Sequence, residues 1–263
     1  MIGLLSGRHV AALLFGTVAA VVMSAQSGGS LAGAPSPMAA MRAADQAMYP
    51  DSFSMVVSIS TLRAGGERSE LQISIDHKAG LGSFMEMLSP PRSKGTRFLQ
   101  TEGGLYMYSP RSGTRSPLRL SPRESFQGSV FSNNDVGDST WENDYAAAVT
   151  GTASLESPDF GRVEVWVVTG TALRRDVPYG AIRLYLRKDD LLPLKIEYDA
   201  KSGLLLKTME MSDFATIAGR LRPRRLVMKA ADGTGETSTV LITGLRSRDD
   251  LPDAMFNQSW LVR

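Results

Sequence analysis

The chain has 263 residues, no cysteine, and 29 Lys and Arg against 27 Asp and Glu, a formal net charge of +2. Charge this evenly balanced makes no field that would select nucleic acid or an anionic membrane surface as the main partner, and the absent cysteines exclude both disulfides and a thioether-lipidated N-terminus. The length suits one large all-β domain or two small ones, and either is long enough for a continuous core.

Arg8 and His9 precede an apolar run at 10–23, and small residues follow from Ser24 through Ala34. This is the order of a secretory signal, so residues 1–27 are read as a signal peptide with a soft boundary, and 28–37 as a Gly, Ser, Ala and Pro-rich spacer. The apolar run falls short of the ~20 residues a spanning helix needs. Export, and hence a periplasmic location, is the expectation; sheet pairing and apolar burial must then hold the mature protein together without disulfides.

From residue 38 the pattern is that of one domain, 38–263. Met38, Met41, Ala44 and Met48 stand at helical spacing before Pro50. At Phe53 the period changes to two: Phe53, Met55, Val57 and Ile59 alternate with polar or smaller residues, a Gly65-Gly66 turn follows, and Leu71, Ile73 and Ile75 repeat the pattern. Gly80 and Gly82 lead into a third strand at 83–89, stopped by Pro90 and Pro91, and 96–100 and 105–108 pair around Gly103-Gly104. Loop with a short strand at 118–120 comes next, then loops and one or two short helices at 124–150, with an Ala-rich turn expected at 145–149. Strands resume at 161–170, 182–187, 194–198, 204–214, 226–230 and 237–243, separated by turns at hairpin spacing. A short helix at 251–260, with Met255, Phe256 and Trp260 as anchors, is expected to act as a plug or flap. About a dozen strands result, and a sheet of that size must close, sandwich or curl.

The chemistry that this sequence can support is limited. His77 is the single histidine after the signal and reads as a solvent-facing turn residue; Gly128-Ser129 lacks the second glycine of a nucleophile elbow; and structural zinc has no ligand set. The acidic residues Asp135, Asp138, Glu142 and Asp144 lack the spacing of a calcium loop and read as solvated loop carboxylates. Glu164, Glu197 and Glu210 are the only strand carboxylates a glycosidase could pair. Arg220, Arg222, Arg224 and Arg225 surround Pro223, which points to an edge or strand-entry position where the charges protect the sheet from pairing; the functional alternative is a docking patch for an acidic partner or for lipid phosphate. No catalytic residue, cofactor or metal is assigned. What the sequence is rich in is methionine, a flexible side chain that reshapes itself around irregular apolar surfaces.

Several fragments carry a family resemblance: Pro91 with Lys94-Gly95-Thr96 and Phe98-Leu99, an aromatic-x-Tyr-x-Pro at 106–110, Gly128-Ser129-x-Phe131-Ser132 followed by Asp135, and Leu192-Pro193-Leu194-Lys195-Ile196-Glu197-Tyr198 with a Gly-Leu turn after it. Together they resemble the outer-membrane lipoprotein-sorting family, the LolA/LolB-like group, in its uncharacterised branch of exported proteins. The resemblance implies a mainly β fold: one large curved antiparallel sheet, an open half-barrel, with short helices covering its concave face. It implies a non-enzymatic periplasmic carrier that shields the acyl chains of a lipid or lipoprotein in transit toward the outer membrane, between an inner-membrane transporter and an outer-membrane acceptor. Strand alternation nominates Phe84, Met87, Phe98, Leu105, Met107, Trp166, Leu184 and Met209 as lipid-binding, a choice that one residue of register would flip. The rival expectation is a non-catalytic accessory subunit of an envelope transport complex that docks a membrane permease.

Overall fold

The computed structural model describes residues 31–113, 116–136 and 141–263. The signal expected at 1–27, the start of the spacer and Asp138 of the acidic group lie outside them. Helix α1 (Pro37–Met48) is the first element of the described residues, with proline in its first turn, where φ is already helical and no N–H is missed. Its buried stripe is Ala40, Met41, Ala44 and Met48, and extended backbone at Tyr49 ends it.

Six strands then form a meander: β1 (Ser52–Leu62), β2 (Arg68–Lys78), β3 (Gly82–Ser89), β4 (Arg97–Thr101), β5 (Gly104–Tyr108) and β6 (Leu118–Arg119). Gly82 starts β3 at φ 120°, and a Cβ there would stand 1.9 Å from the carbonyl oxygen of Gln100, so only glycine fits. After a crossing segment that holds α2 (Asn133–Val136) and α3 (Trp141–Asp144), seven more strands form a second meander: β7 (Tyr145–Ser157), β8 (Gly161–Ala172), β9 (Ala181–Arg187), β10 (Pro193–Asp199), β11 (Leu205–Ile217), β12 (Arg220–Ala230) and β13 (Thr237–Ser247). Helix α4 (Gln258–Leu261) closes the chain. The result is one antiparallel sheet of 13 strands in the order β6-β5-β4-β3-β2-β1-β13-β12-β11-β10-β9-β8-β7. The two meanders meet where β1 pairs with β13, in register from Phe53 opposite Ser247 to Leu62 opposite Thr237. Among the described residues β6 and β7 are the two edges of the sheet and do not pair with each other, so the sheet does not close.

A flat sheet of this many strands, at about 4.8 Å each, would be on the order of 60 Å wide. Yet Phe98 on β4, Val240 on β13 and Leu184 on β9 belong to a single core together with Met41 of α1 and Phe126, Phe131 and Trp141 of the crossing segment. The sheet is therefore curled around α1 and that segment, which lie on its inner face. Gly170 on β8 permits the close approach of α1: a Cβ there would be 2.9 Å from both Met41 Cε and Tyr145 Cβ.

Two expectations need correction, and one holds. Residues 145–149 are not a turn but the first part of β7, an edge strand of 13 residues; its Ala, Gly and Thr content hides it, because alanine and glycine are depleted in strands. The basic run at 220–225 opens β12 at a strand entry, and its first half is a local sheet edge, as expected from Pro223. It pairs with β11 on one side, whereas β13 pairs only with Arg225–Lys229, so Pro223 costs no ladder hydrogen bond on the free side. The C-terminal segment does not cover the hollow. Leu251, Phe256 and Leu261 pack on the outer face against Phe84 and Leu99, held by Lys78 Nζ, which donates to the Leu251 carbonyl at 2.8 Å and pairs with Asp253 at 2.7 Å.

Candidate functional site

The inner face is packed unevenly. Toward β3–β5 it is filled by Phe126, whose ring lies 5.2 Å from that of Phe98, and toward β8 and β9 by Met41 against Gly170 and Ile182. Between these filled ends is a cavity of about 450 Å³. Its floor is a cross-strand patch over the junction of the two meanders: Met55, Val57 and Ile59 of β1, Val240 of β13, Leu226 of β12 and Met209 of β11. The register places Ile59 opposite Val240 and Val240 opposite Leu226, so these side chains form one apolar row. Its roof is Met48 and Tyr49 from the end of α1 with Phe131, Val136 and Trp141 of the crossing segment. The exposed residues Arg42, Gln46, Asp51, Ala79 and Gly80 mark the side where it opens.

Polar groups hold the roof in place. Asp45 of α1 accepts the N–H groups of Trp141 at 3.3 Å and Glu142 at 3.2 Å, capping the first turn of α3. Arg42 Nε donates to both Glu142 oxygens, at 3.0 and 2.9 Å, and the hydrogen bond from Arg42 draws the Glu142 carboxyl below its ordinary range. Deeper in, Asp135 is buried and paired with Lys207 Nζ of β11, and it accepts from Tyr179 at 2.8 Å and from the Ser132 N–H at 2.6 Å. The Ser132 hydroxyl accepts the Asp135 N–H at 3.3 Å in return, a capping box around the single turn of α2. The phenols that line the cavity stay neutral. Burial pushes Tyr49 up to about 12, and it raises Tyr145, Tyr179 and Tyr198 as well. His77 is half-buried at the cavity wall, its ring 5.0 Å from that of Phe53 and its Nδ1 2.9 Å from the Ser83 hydroxyl.

Of the residues nominated from strand alternation, Met209 lines the cavity. Met87, Phe98, Leu105, Trp166 and Leu184 lie on the same inner face but are buried in the filled parts of the core, and Met107 packs partly buried against them. Phe84 points the other way, into the outer cluster with Leu99, Leu251 and Phe256. The structure thus brings seven of the eight to one face and only one of them to the cavity wall. Lys207 and Asp135 were not foreseen as partners. Lys207 shares a strand face with Met209 and Met211, and Ser132-x-x-Asp135 has capping-box spacing, so both halves of the pair left a mark in the sequence. Among the described residues, no group of three or more His, Cys, Asp or Glu is placed to hold a metal ion.

A family model described only as an uncharacterized-protein-like family matches residues 81–263, most of the chain. The chain belongs to this family. No curated protein matches the sequence. Among solved structures, a LolA superfamily protein from Nitrosomonas europaea is 25% identical, with a TM-score of 0.76 over 86% of this chain and 100% of its own length. A DUF1329 family protein from Desulfovibrio piger (20% identity, TM-score 0.72, 86% of this chain and 100% of its own) and a domain named as an outer membrane lipoprotein-sorting protein from Vibrio parahaemolyticus (20%, 0.70, 86% and 98%) have the same fold. The resemblance carried by the fragments at 91–135 and 192–198 holds: this uncharacterised family is LolA-like, and its open sheet with few short helices is the LolA-like fold.

Proposed function

We propose that this LolA-like protein is an exported, non-enzymatic carrier whose half-barrel shields an acyl chain of a lipid or lipoprotein on its way across the periplasm. One observation carries the reading: the curled sheet leaves unfilled, over the β1–β13 junction, a cavity floored by six aliphatic and thioether side chains. A well-packed interior leaves few voids larger than a water molecule, whereas ligand sites measure about 300–1,000 Å³ and are mostly apolar with a few placed polar groups. Each methylene transferred from water into such a site contributes roughly 0.8 kcal/mol, so part of one chain is enough to anchor a complex. Release requires only that α1 and the crossing segment move, since they form the roof. The domain organisation that goes with this reading is a signal at 1–27, a spacer at 28–37 and a carrier domain at 38–263, served by a donor in the inner membrane and an acceptor at the outer membrane. Among the described residues no helix is long and apolar enough to cross a membrane.

Native mass spectrometry of gently purified protein, followed by solvent extraction and uptake of 1-dodecanol by the stripped protein, tests this. The wild type is expected to carry a lipid and to take up dodecanol. Val240→Phe, which places a ring in the void, is expected to fold with an unchanged circular dichroism spectrum and to take up at least about tenfold less. A wild-type protein that is bare and indifferent to dodecanol overturns the carrier reading; one that co-purifies bare with a membrane permease favours the accessory-subunit role.

A further inference from the structure

Arg222 is a buried cation with no salt-bridge partner among the described residues. It is 3% exposed, and its hydrogen bonds among those residues go to backbone carbonyls and not to a carboxylate. It stands on β12 at the same parity as Leu226 and Met228, so its side chain reaches inward to α1, where Nη1 donates to the Gln46 carbonyl at 2.7 Å; Nε donates to the Ile217 carbonyl at 3.1 Å. Two carbonyls accept from two donor groups and supply none of the opposite charge. Burying an ion without an opposite charge is unfavourable in general. Burial and the neighbouring Arg220 both work against the Arg222 charge, with Asp51 as the only opposing influence.

Arg222 lines a second hollow, about 290 Å³ and predominantly polar, which Arg220 also lines while it donates to the Gln46 side chain at 3.1 Å. Ser52 and Ser247 add hydroxyls, and Asp51 and Asp249 stand on the exposed rim. This hollow adjoins the open side of the apolar cavity: Gln46, Tyr49, Pro50 and Asp51 border both. An apolar slot that opens beside a pair of arginines, one of them lacking an anion, has the layout of a site for an amphiphile.

We infer that Arg220 and Arg222 form a subsite for a phosphate group, the head of the amphiphile whose chain occupies the cavity. Planar guanidinium groups match phosphate geometry with paired, charge-assisted hydrogen bonds, which lysines in the same place would not. The subsite rests on the carrier reading for its chain and on the two arginines for its head, so the two can fail separately.

The test uses the full folded chain, stripped of lipid, and measures affinity for dodecyl phosphate, 1-dodecanol and inorganic phosphate by calorimetry in wild type and Arg220→Gln. Arg220 is exposed, so that variant is expected to fold; Arg222→Lys serves as the second variant, with its spectrum checked first. Expected are a preference of at least about tenfold for dodecyl phosphate over dodecanol in wild type, a fall of that preference below about threefold in Arg220→Gln, and dodecanol affinity unchanged. Equal binding of dodecyl phosphate and dodecanol by wild type overturns the subsite and leaves the carrier intact. Binding of inorganic phosphate alone, lost in Arg220→Gln, shows a free-phosphate site and overturns the amphiphile. Binding of none of the three overturns both readings.

Discussion

Lys207 puts an ammonium on the inner face of β11, beside Met209 and Met211, and both it and its partner Asp135 are almost fully enclosed, with side chains 8% and 6% exposed. An ion pair this buried gains little over an apolar pair of the same shape, but breaking one side leaves an uncompensated charge. Here the pair fixes position: Asp135 belongs to the capping box of α2, so Lys207 fastens the crossing segment to the sheet next to the cavity. Lys207→Met is expected to lower unfolding stability by about 3–5 kcal/mol in urea titration. Adding Asp135→Asn removes the stranded charge and should recover about 1 kcal/mol or more of that loss, a coupling that a double-mutant cycle reads directly. Additive losses would show that the two residues act independently.

The strands legible in the sequence are those whose alternation is sharp and whose outer face is wet, such as β1, with Phe53, Met55, Val57 and Ile59 buried in turn. Where both faces are covered the pattern loses its meaning. The C-terminal segment packs on the outside of β3–β5, so Phe84 and Leu99 are as buried as Met85 and Phe98, and nothing local says which set faces the hollow. That is why Phe84 was nominated together with Met87, three residues on and on the opposite face. The cavity left no trace for a different reason, since Val57 and Leu184 look alike in sequence whether their neighbours fill the space above them or not. On the outer face the register pairs Glu197 of β10 with Arg183 of β9, and Lys195 and Tyr185 join them. Burial alone would raise the Glu197 carboxyl, but the hydrogen bonds from Lys195, Arg183 and Tyr185 outweigh it and hold it below its ordinary 4.5. A carboxyl lowered by folding contributes stability that is complete above about 4.5 and is lost as pH falls through its folded value. Glu197→Gln is therefore expected to be less stable than wild type at neutral pH, with the gap in melting temperature narrowing below pH 4.5. A gap constant with pH would mean that packing, not charge, sets the cost.

At the scale of the whole molecule, two sequential meanders are joined by a single antiparallel seam between strands nearly two hundred residues apart, β1 and β13. Ser238, fully buried in that seam, binds the Thr61 hydroxyl across it at 2.8 Å and accepts the Val130 N–H of the crossing segment at 2.9 Å. Ser238→Ala leaves both partners short of a hydrogen bond and is expected to cost about 1–3 kcal/mol. The location of the cavity turns this local loss into a global one. Its walls come from β1 and β2 on one side of the seam and β11–β13 on the other, so meanders, crossing segment and any bound chain share one interface. Trp260 reports on the outside of the first meander and Trp166 on β8 of the second. In single-tryptophan variants the two should unfold at one urea midpoint, shifted equally by Ser238→Ala. Saturation with dodecanol should raise that common midpoint, the added stability reaching about 2.7 kcal/mol at a hundred times Kd. Two midpoints, only one of them responding to ligand, would show the meanders to be independent units and the cavity to belong to one half of the sheet.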